Sequence, residues 1–146
     1  MKKLLLGVLL LATIASCKKS DDEISCEVSV AGIAGSYRIT KIVLTITALP
    51  DQDITTTLLD PCGLSGVFQL KADKSVVYTE TPACGGDGTG TWDVVSGNIN
   101  INHSGNGYDF PNAAASSAIT GWDCSTLTLT ESVGGGQSYK YTLTKQ

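Results

Sequence analysis

Five cysteines and one histidine are the residues of this 146-residue chain best suited to covalent or ligand chemistry: Cys17, Cys26, Cys62, Cys84, Cys124 and His103. A tetrahedral metal centre draws on closely spaced Cys and His pairs. No Cys-x-x-Cys occurs and His103 has no histidine companion, so the spacing argues against a metal site. Nucleophilic catalysis needs a base set beside the nucleophile. With one histidine, just past an expected strand and beside Ser104 and Gly105, no such set is legible. His103 reads as a surface loop residue, and no enzyme is expected. Asp51 and Asp53, and Asp87 within Gly85-Gly86-Asp87-Gly88, are the acidic candidates for calcium or paired-carboxylate chemistry. Neither set matches a ligand loop, and turns use Asp and Gly for backbone reasons. The same glycine run lacks the following Lys and helix of a phosphate cradle. No cofactor is expected, which leaves structural thiols and aromatic side chains.

Cys17 differs from the other thiols in its setting. Lys2 and Lys3 precede an apolar run from Leu4 to Ile14, followed by the small residues Ala15 and Ser16. That run has the length of a signal-peptide core and falls short of the about 20 residues that span a bilayer. The stretch Ile14-Ala15-Ser16-Cys17 resembles a bacterial lipobox. The resemblance implies that the Cys17 thiol takes a diacylglycerol thioether, that the chain is cut before it, and that the new amine is acylated. Each buried methylene adds about 0.8 kcal/mol, so several acyl chains hold firmly where one is marginal. The alternative is an ordinary secretory cut after Ala15, and cysteine parity weighs against it. With Cys17 consumed, Cys26, Cys62, Cys84 and Cys124 are an even set for an oxidising compartment, with three pairings open. Lys18 to Glu23 is wholly polar and reads as a disordered tether. No Asp follows Cys17 directly, and Ser20-Asp21-Asp22-Glu23 resembles the acidic export signal of surface lipoproteins. The implied address is the outer membrane, on its outward face.

The elements that must carry these residues are strands. Ten Lys plus Arg become eight once Lys2 and Lys3 are removed, against fourteen Asp plus Glu. Without a basic patch, nucleic acid is not an expected partner. Polarity comes from Thr, Ser, Gly and Asn, as on exposed strand faces. A period of two runs through Asn98-Ile99-Asn100-Ile101-Asn102, Leu127-Thr128-Leu129-Thr130 and Tyr139-Lys140-Tyr141-Thr142-Leu143-Thr144. Tyr37 and Ile39 have opposite parity to Ile42, Leu44 and Ile46, which a β-bulge near Thr40 and Lys41 reconciles. Strands are expected near Tyr37 to Thr47, Ile54 to Leu59, Gly66 to Lys71, Ser75 to Thr79, Gly90 to Val95, Asn98 to Asn102, Ser117 to Trp122, Ser125 to Glu131 and Ser138 to Lys145. Tight turns fall at Asp73-Lys74, Ser96-Gly97-Asn98 and Gly134-Gly135-Gly136, with one short helical turn around Ser29 to Ala34. Short connections favour an all-β, antiparallel up-and-down arrangement of eight or nine strands. Closing it into a small β-barrel removes both exposed edges.

In order, Gly35-Ser36-Tyr37, Asp60-Pro61-Cys62, Val67 to Lys74, Cys84, Gly90-Thr91-Trp92, Thr126 to Thr130 and Tyr139 to Lys145 resemble the lipocalin-like domain of Gram-negative surface lipoproteins. Departures are Tyr37 in the usual Trp place, Lys74 in the place of a turn Gly, and the Gly/Ala/Ser segment from Gly105 to Ser117. The resemblance implies a signal peptide over 1–16, a lipidated Cys and tether over 17–28, and a lipocalin-like barrel over 29–146. It implies a Cys62–Cys84 disulfide and, by exclusion, Cys26–Cys124. It also implies that Tyr37, Phe68, Tyr78, Trp92, Tyr139 and Tyr141 point inward and line a site for a small hydrophobic ligand. In a small eight-stranded barrel such side chains also suffice to fill the interior. The competing role is a non-enzymatic structural or protein-interaction module of a surface complex, with Tyr108-Asp109-Phe110-Pro111-Asn112 as its contact. Trp122, between Gly121 and Asp123, is expected to pack on the second disulfide or to stand exposed as a binding aromatic.

Overall fold

The structure, a computed structural model, describes residues 26–104 and 116–146. Cys17, the signal segment, the Gly105 to Ala115 stretch and the Tyr108 to Asn112 contact lie outside the described residues. Nine strands form one antiparallel sheet: β1 (Gly35–Ile46), β2 (Gln52–Asp53), β3 (Val67–Leu70), β4 (Ser75–Thr79), β5 (Gly88–Val95), β6 (Asn98–Ser104), β7 (Ser117–Trp122), β8 (Thr126–Gly134) and β9 (Gln137–Lys145). β1 pairs with β3, each of β3 to β8 pairs with the next strand, and β9 returns to β1, so eight strands make a ring and β2 is a short addition beside β1. The all-β, up-and-down barrel expected from alternation is the fold observed.

The ladders around the ring are unequal. β1 and β9 run together from Tyr37↔Lys145 to Ile46↔Gln137, and β8 and β9 from Thr126↔Thr144 to Gly134↔Gln137. Among the described residues, β6 and β7 meet at Asn98↔Ala118 and Ile99↔Ser117 alone. The expected bulge is present as a register shift between Ile39 and Lys41. Thr40 points outward there, with its hydroxyl 3.0 Å from that of Thr144. The shift brings Ile39 and Ile42 to the same inner face, where both are buried.

One expected strand is a helix. Ile54 to Leu59 is instead the end of a turn followed by α2 (Thr55–Leu58). Its β-branched threonines favour a strand locally, but the Asp53 carboxylate accepts from the Thr55 amide at 3.0 Å and its hydroxyl at 2.6 Å, turning the chain. Tertiary pairing then uses the turn. β3 leaves β1 after Tyr37↔Phe68 and β2 joins it only at Val43↔Asp53. In that gap the Ile42 amide donates to the Thr55 hydroxyl at 2.8 Å and the Ile42 carbonyl accepts from the Ile54 amide at 3.0 Å. Side chain and turn thus satisfy backbone groups that a neighbouring strand would otherwise take. A second short helix, α3 (Pro61–Ser65), follows, with Asp60 accepting from the Gly63 amide at 2.9 Å and Pro61 at the first helical position. Helices this short show no hydrophobic period, which is why alternation alone misses them.

The ring has two distinct ends. At one lie the turns Lys71–Lys74, Ser96–Gly97 and Asp123–Ser125, together with the α-helical turn (Val30–Ile33) expected near Ser29. Ser29 caps it by accepting from the Gly32 amide at 3.1 Å, and Ile33 is wholly buried in the core. Two of the turns share one device. Asp73 accepts from the amide and hydroxyl of Ser75, and Asp123 from those of Ser125. These bonds hold both carboxyls below the usual carboxylate range. The residues between, Lys74 and Cys124, take positive φ of 68° and 70°. The other end carries α2, α3, the β4–β5 loop and Gly134–Gly136. Cys26–Cys124 fastens the first end and Cys62–Cys84 the second, the pairing the resemblance implies. The chain is therefore tied from Cys26, ahead of the expected domain start at 29.

Candidate functional site

The six expected inward aromatics are divided between the two ends. Tyr37 and Trp92 lie in the end stopped by Ile33, and both are buried. The Tyr37 hydroxyl donates to the Ile33 carbonyl, and Trp92 Nε1 donates to the Lys71 carbonyl at 2.8 Å. Burial pushes the Tyr37 hydroxyl up to about 12. Trp122 is half-buried here, its ring 6.2 Å from Tyr37, with the Lys145 ammonium 5.7 Å over it. It does not stand exposed as a binding aromatic.

Phe68, Tyr78, Tyr139 and Tyr141 belong to the other half of the interior. Phe68 and Tyr78 are opposite one another on β3 and β4, their rings 4.6 Å apart. Tyr139 and Tyr141 follow one another along the inner face of β9, 6.1 Å apart. Leu44, Ile46 and Tyr139 occupy inward positions by register but remain half-buried. Phe68 and Tyr78 are buried, so at this end it is Leu44, Ile46 and Tyr139 that keep partial access to solvent. One rim is rigid. The Tyr78 hydroxyl donates to Glu80 at 2.8 Å, the Gly86 amide donates to its other oxygen at 3.1 Å, and Asp87 accepts from the Glu80 amide at 3.0 Å. Gly66 is required beside this group, because a Cβ there would stand 2.3 Å from the Tyr78 hydroxyl. Glu80 also lies close to Cys62 and Cys84, whose sulfurs are joined to each other. Asp87, weighed for calcium, thus holds a loop; Asp51 accepts from the Thr45 hydroxyl at 2.9 Å.

His103 is the residue that sequence reasoning misplaced. β6 continues through Ser104, so His103 follows Ile99 and Ile101 on the inner face and is only 8% exposed. It is not a surface loop residue. The expected strand ended at Asn102 because the polar Asn-His-Ser run reads as a loop, yet pairing with Gly90 carries the ladder onward. The visible signal was parity: residue 103 continues the alternation of 99 and 101. The imidazole lies 5.8 Å from the Phe68 ring, edge-on, and 5.6 Å from the Tyr78 ring. Neither Nδ1 nor Nε2 has a hydrogen-bond partner among the described residues. Two further polar groups are buried elsewhere in the ring: Glu131 accepts from the Tyr141 hydroxyl at 3.1 Å, and Ser117, opposite Ile99, has its hydroxyl unpartnered among the described residues. Burial first, and the Glu131 charge second, hold the Tyr141 hydroxyl well above the ordinary tyrosine range.

A groove of about 390 Å³ also runs over the outer wall, lined by Lys41, Val43, Asp51, Asp53, Lys140 and Thr142. It is bordered by solvated charges, with Lys41 and Asp53 3.9 Å apart and each more than half exposed. No aromatic side chain lines it, and the inward-facing end is the stronger candidate. Among the described residues no helix is long and apolar enough to cross a membrane.

No protein-family model matches the chain, and no curated protein does. Among solved structures it is similar to a redesigned β-barrel, at 11% identity, over 82% of this chain and 96% of that one, with a TM-score of 0.39.

Proposed function

We propose that the chain is a lipid-anchored protein of the outer membrane, facing outward, whose lipocalin-like barrel binds a small hydrophobic molecule at its solvent-accessible end and catalyses no reaction. One observation carries the binding role: inward-facing aromatic and aliphatic side chains at that end, Leu44, Ile46 and Tyr139, are left half-buried. Small-molecule sites are built this way, from an apolar wall with few convergent polar groups. The anchor rests on the lipobox resemblance at Cys17, and two disulfides suit an oxidising compartment.

Binding is tested with a neutral naphthylamine dye and energy transfer from Trp92 and Trp122. Saturable one-to-one binding that Leu44→Trp removes is the expected result. Silence across a broad panel of apolar probes sinks the binding role and leaves the barrel as a structural or interaction module. The anchor is tested separately by detergent phase partitioning, where Cys17→Ser should shift the protein to the aqueous phase.

A further inference from the structure

Taking the lipid anchor proposed at Cys17 as the premise, and not the binding role, we infer that the end of the ring stopped by Ile33 is the surface turned to an anionic lipid bilayer, and that the opposite end points away from the membrane. The Cys26–Cys124 disulfide fixes where the tether leaves the ring. Cys124 lies in the Asp123–Ser125 turn, and the bond sets its Cα 5.1 Å from that of Cys26. The chain leading back to Cys17 therefore departs from the Ile33 end. Nine peptide steps separate Cys26 from Cys17. A chain spans at most about 3.3–3.6 Å per residue, so Cys26 stays within about 30 Å of the acylated residue. The run of β1 from Tyr37 to Ile46 covers about the same 30 Å at the rise of a strand. Turning the opposite end to the lipid would lift Cys26 by that whole length and pull the tether straight. With the Ile33 end down, the tether has length to spare.

Charge favours the same orientation. Among the described residues, the Ile33 end balances four carboxyl groups with Arg38, Lys71, Lys74 and Lys145. The opposite end carries six carboxyl groups, Asp51 and Asp53 among them, against Lys41 and Lys140. Lys18 and Lys19, which follow Cys17 directly, add positive charge on the anchored side. Headgroup phosphates attract basic side chains and repel an acidic face within a Debye length, about 8–10 Å. The balanced end with its lysines can therefore approach a surface that the acidic end is held from. Leu44, Ile46 and Tyr139 then face the medium, so a molecule reaching them arrives from outside and not from the bilayer that holds the protein.

The experiment places the full-length acylated protein on vesicles of phosphatidylethanolamine and phosphatidylglycerol that carry a dansyl label on their headgroups, with flotation as the check of attachment. Trp92 and Trp122 both lie at the Ile33 end, so energy transfer from them to dansyl should be strong. Leu49→Trp in a Trp92→Phe, Trp122→Phe background moves the donor to the exposed turn after β1, at the opposite end, and transfer should fall several-fold. Amide exchange of the wild type gives the same reading without a core substitution. Compared with the unacylated Cys17→Ser protein, vesicles should slow exchange in the Lys71–Lys74 and Ser96–Gly97 turns and leave Gly134–Gly136 unchanged. Protection at Gly134–Gly136, equal protection at both ends, or undiminished transfer from Leu49→Trp in a protein that floats overturns the inference and leaves the anchor standing. A wild type that does not float with the vesicles removes the anchor, and the inference with it.

Discussion

Tyr37 and Trp92 at the end stopped by Ile33 are aromatic side chains with a polar handle, and each handle meets a main-chain carbonyl. At the opposite end Tyr78 and Tyr141 give their hydroxyls to carboxylates, Glu80 and Glu131, and His103 gives its nitrogens to no described group. A carbonyl in a turn is placed by the fold itself, so the Tyr37 and Trp92 handles are met by folding alone, whereas Trp122 Nε1 at the same end is buried without a partner among the described residues. A carboxylate in an interior, or an imidazole without a partner, lowers stability unless a further group meets it. Both ends thus keep a buried nitrogen without a partner among the described residues, Trp122 at the first and His103 at the second, and they differ in the acceptors their tyrosines use: a main-chain carbonyl for Tyr37, carboxylates for Tyr78 and Tyr141.

The largest test of this contrast is the pair of disulfides. On the loop-entropy model, replacing Cys26 and Cys124 by Ser should cost nearly 5 kcal/mol, about 1.3 more than replacing Cys62 and Cys84, because the first closes 98 residues and the second 22. Urea unfolding monitored by Trp fluorescence measures both, and equal or reversed losses would break the ordering of the two ends. Next come single side chains. Trp92→Ala should lose about 3–5 kcal/mol through the cavity it leaves. His103→Phe should instead leave stability unchanged or raise it by about 1–2 kcal/mol, since it removes unpartnered buried atoms. A large loss in His103→Phe would mean that the imidazole is a satisfied core residue after all.

Gly66→Ala probes the rigid rim. The added methyl would meet the Tyr78 ring at 2.6 Å as well as its hydroxyl, so the ring must move away from Glu80. A loss of about 1–3 kcal/mol is expected, and Tyr78→Phe in the same background should recover little, since the ring carbons clash too. The smallest effect is alkaline. Tyr37 and Tyr141 are both raised above the ordinary tyrosine value of 10.0 by burial. A group whose folded pKa is raised contributes stability that is whole below its unfolded pKa and lost as pH rises through the folded one. Stability should thus be flat below about pH 9 and decline from about pH 10 upward. Tyr37→Phe should make that decline shallower, read from unfolding midpoints by circular dichroism between about pH 9 and about pH 12.

How much of this was legible in the chain depends on how local each cause is. The period of two at Asn98–Asn102, Leu127–Thr130 and Tyr139–Thr144 placed Ile99, Ile101, Leu127, Leu129, Tyr141 and Leu143 on the inner face, and all are buried. The parity break at Thr40 located the bulge. The threonines after Asp53 misled, because a strand-favouring run was turned into α2 by a carboxylate two residues back and by the free edge of β1 at Ile42. Asp60-Pro61 held a readable helix start that a search for periodicity passed over. The inner face was only half visible: the four aromatics of the open end were expected, but His103, Ser117 and Glu131 were not, since polar residues carry no hydrophobic signal of facing inward.

By itself, then, the sequence determined the alternation, the inner and outer faces, the tight turns and the even set of four thiols. Each of these is settled within a few neighbouring residues by backbone sterics and side-chain polarity. The tertiary structure alone decided that β9 closes on β1, that Thr55 stands in for a missing strand, and that His103 is stacked and unpartnered inside the ring. Those outcomes depend on which distant groups meet, and hydrogen bonds across the ring are assigned only when the ring exists.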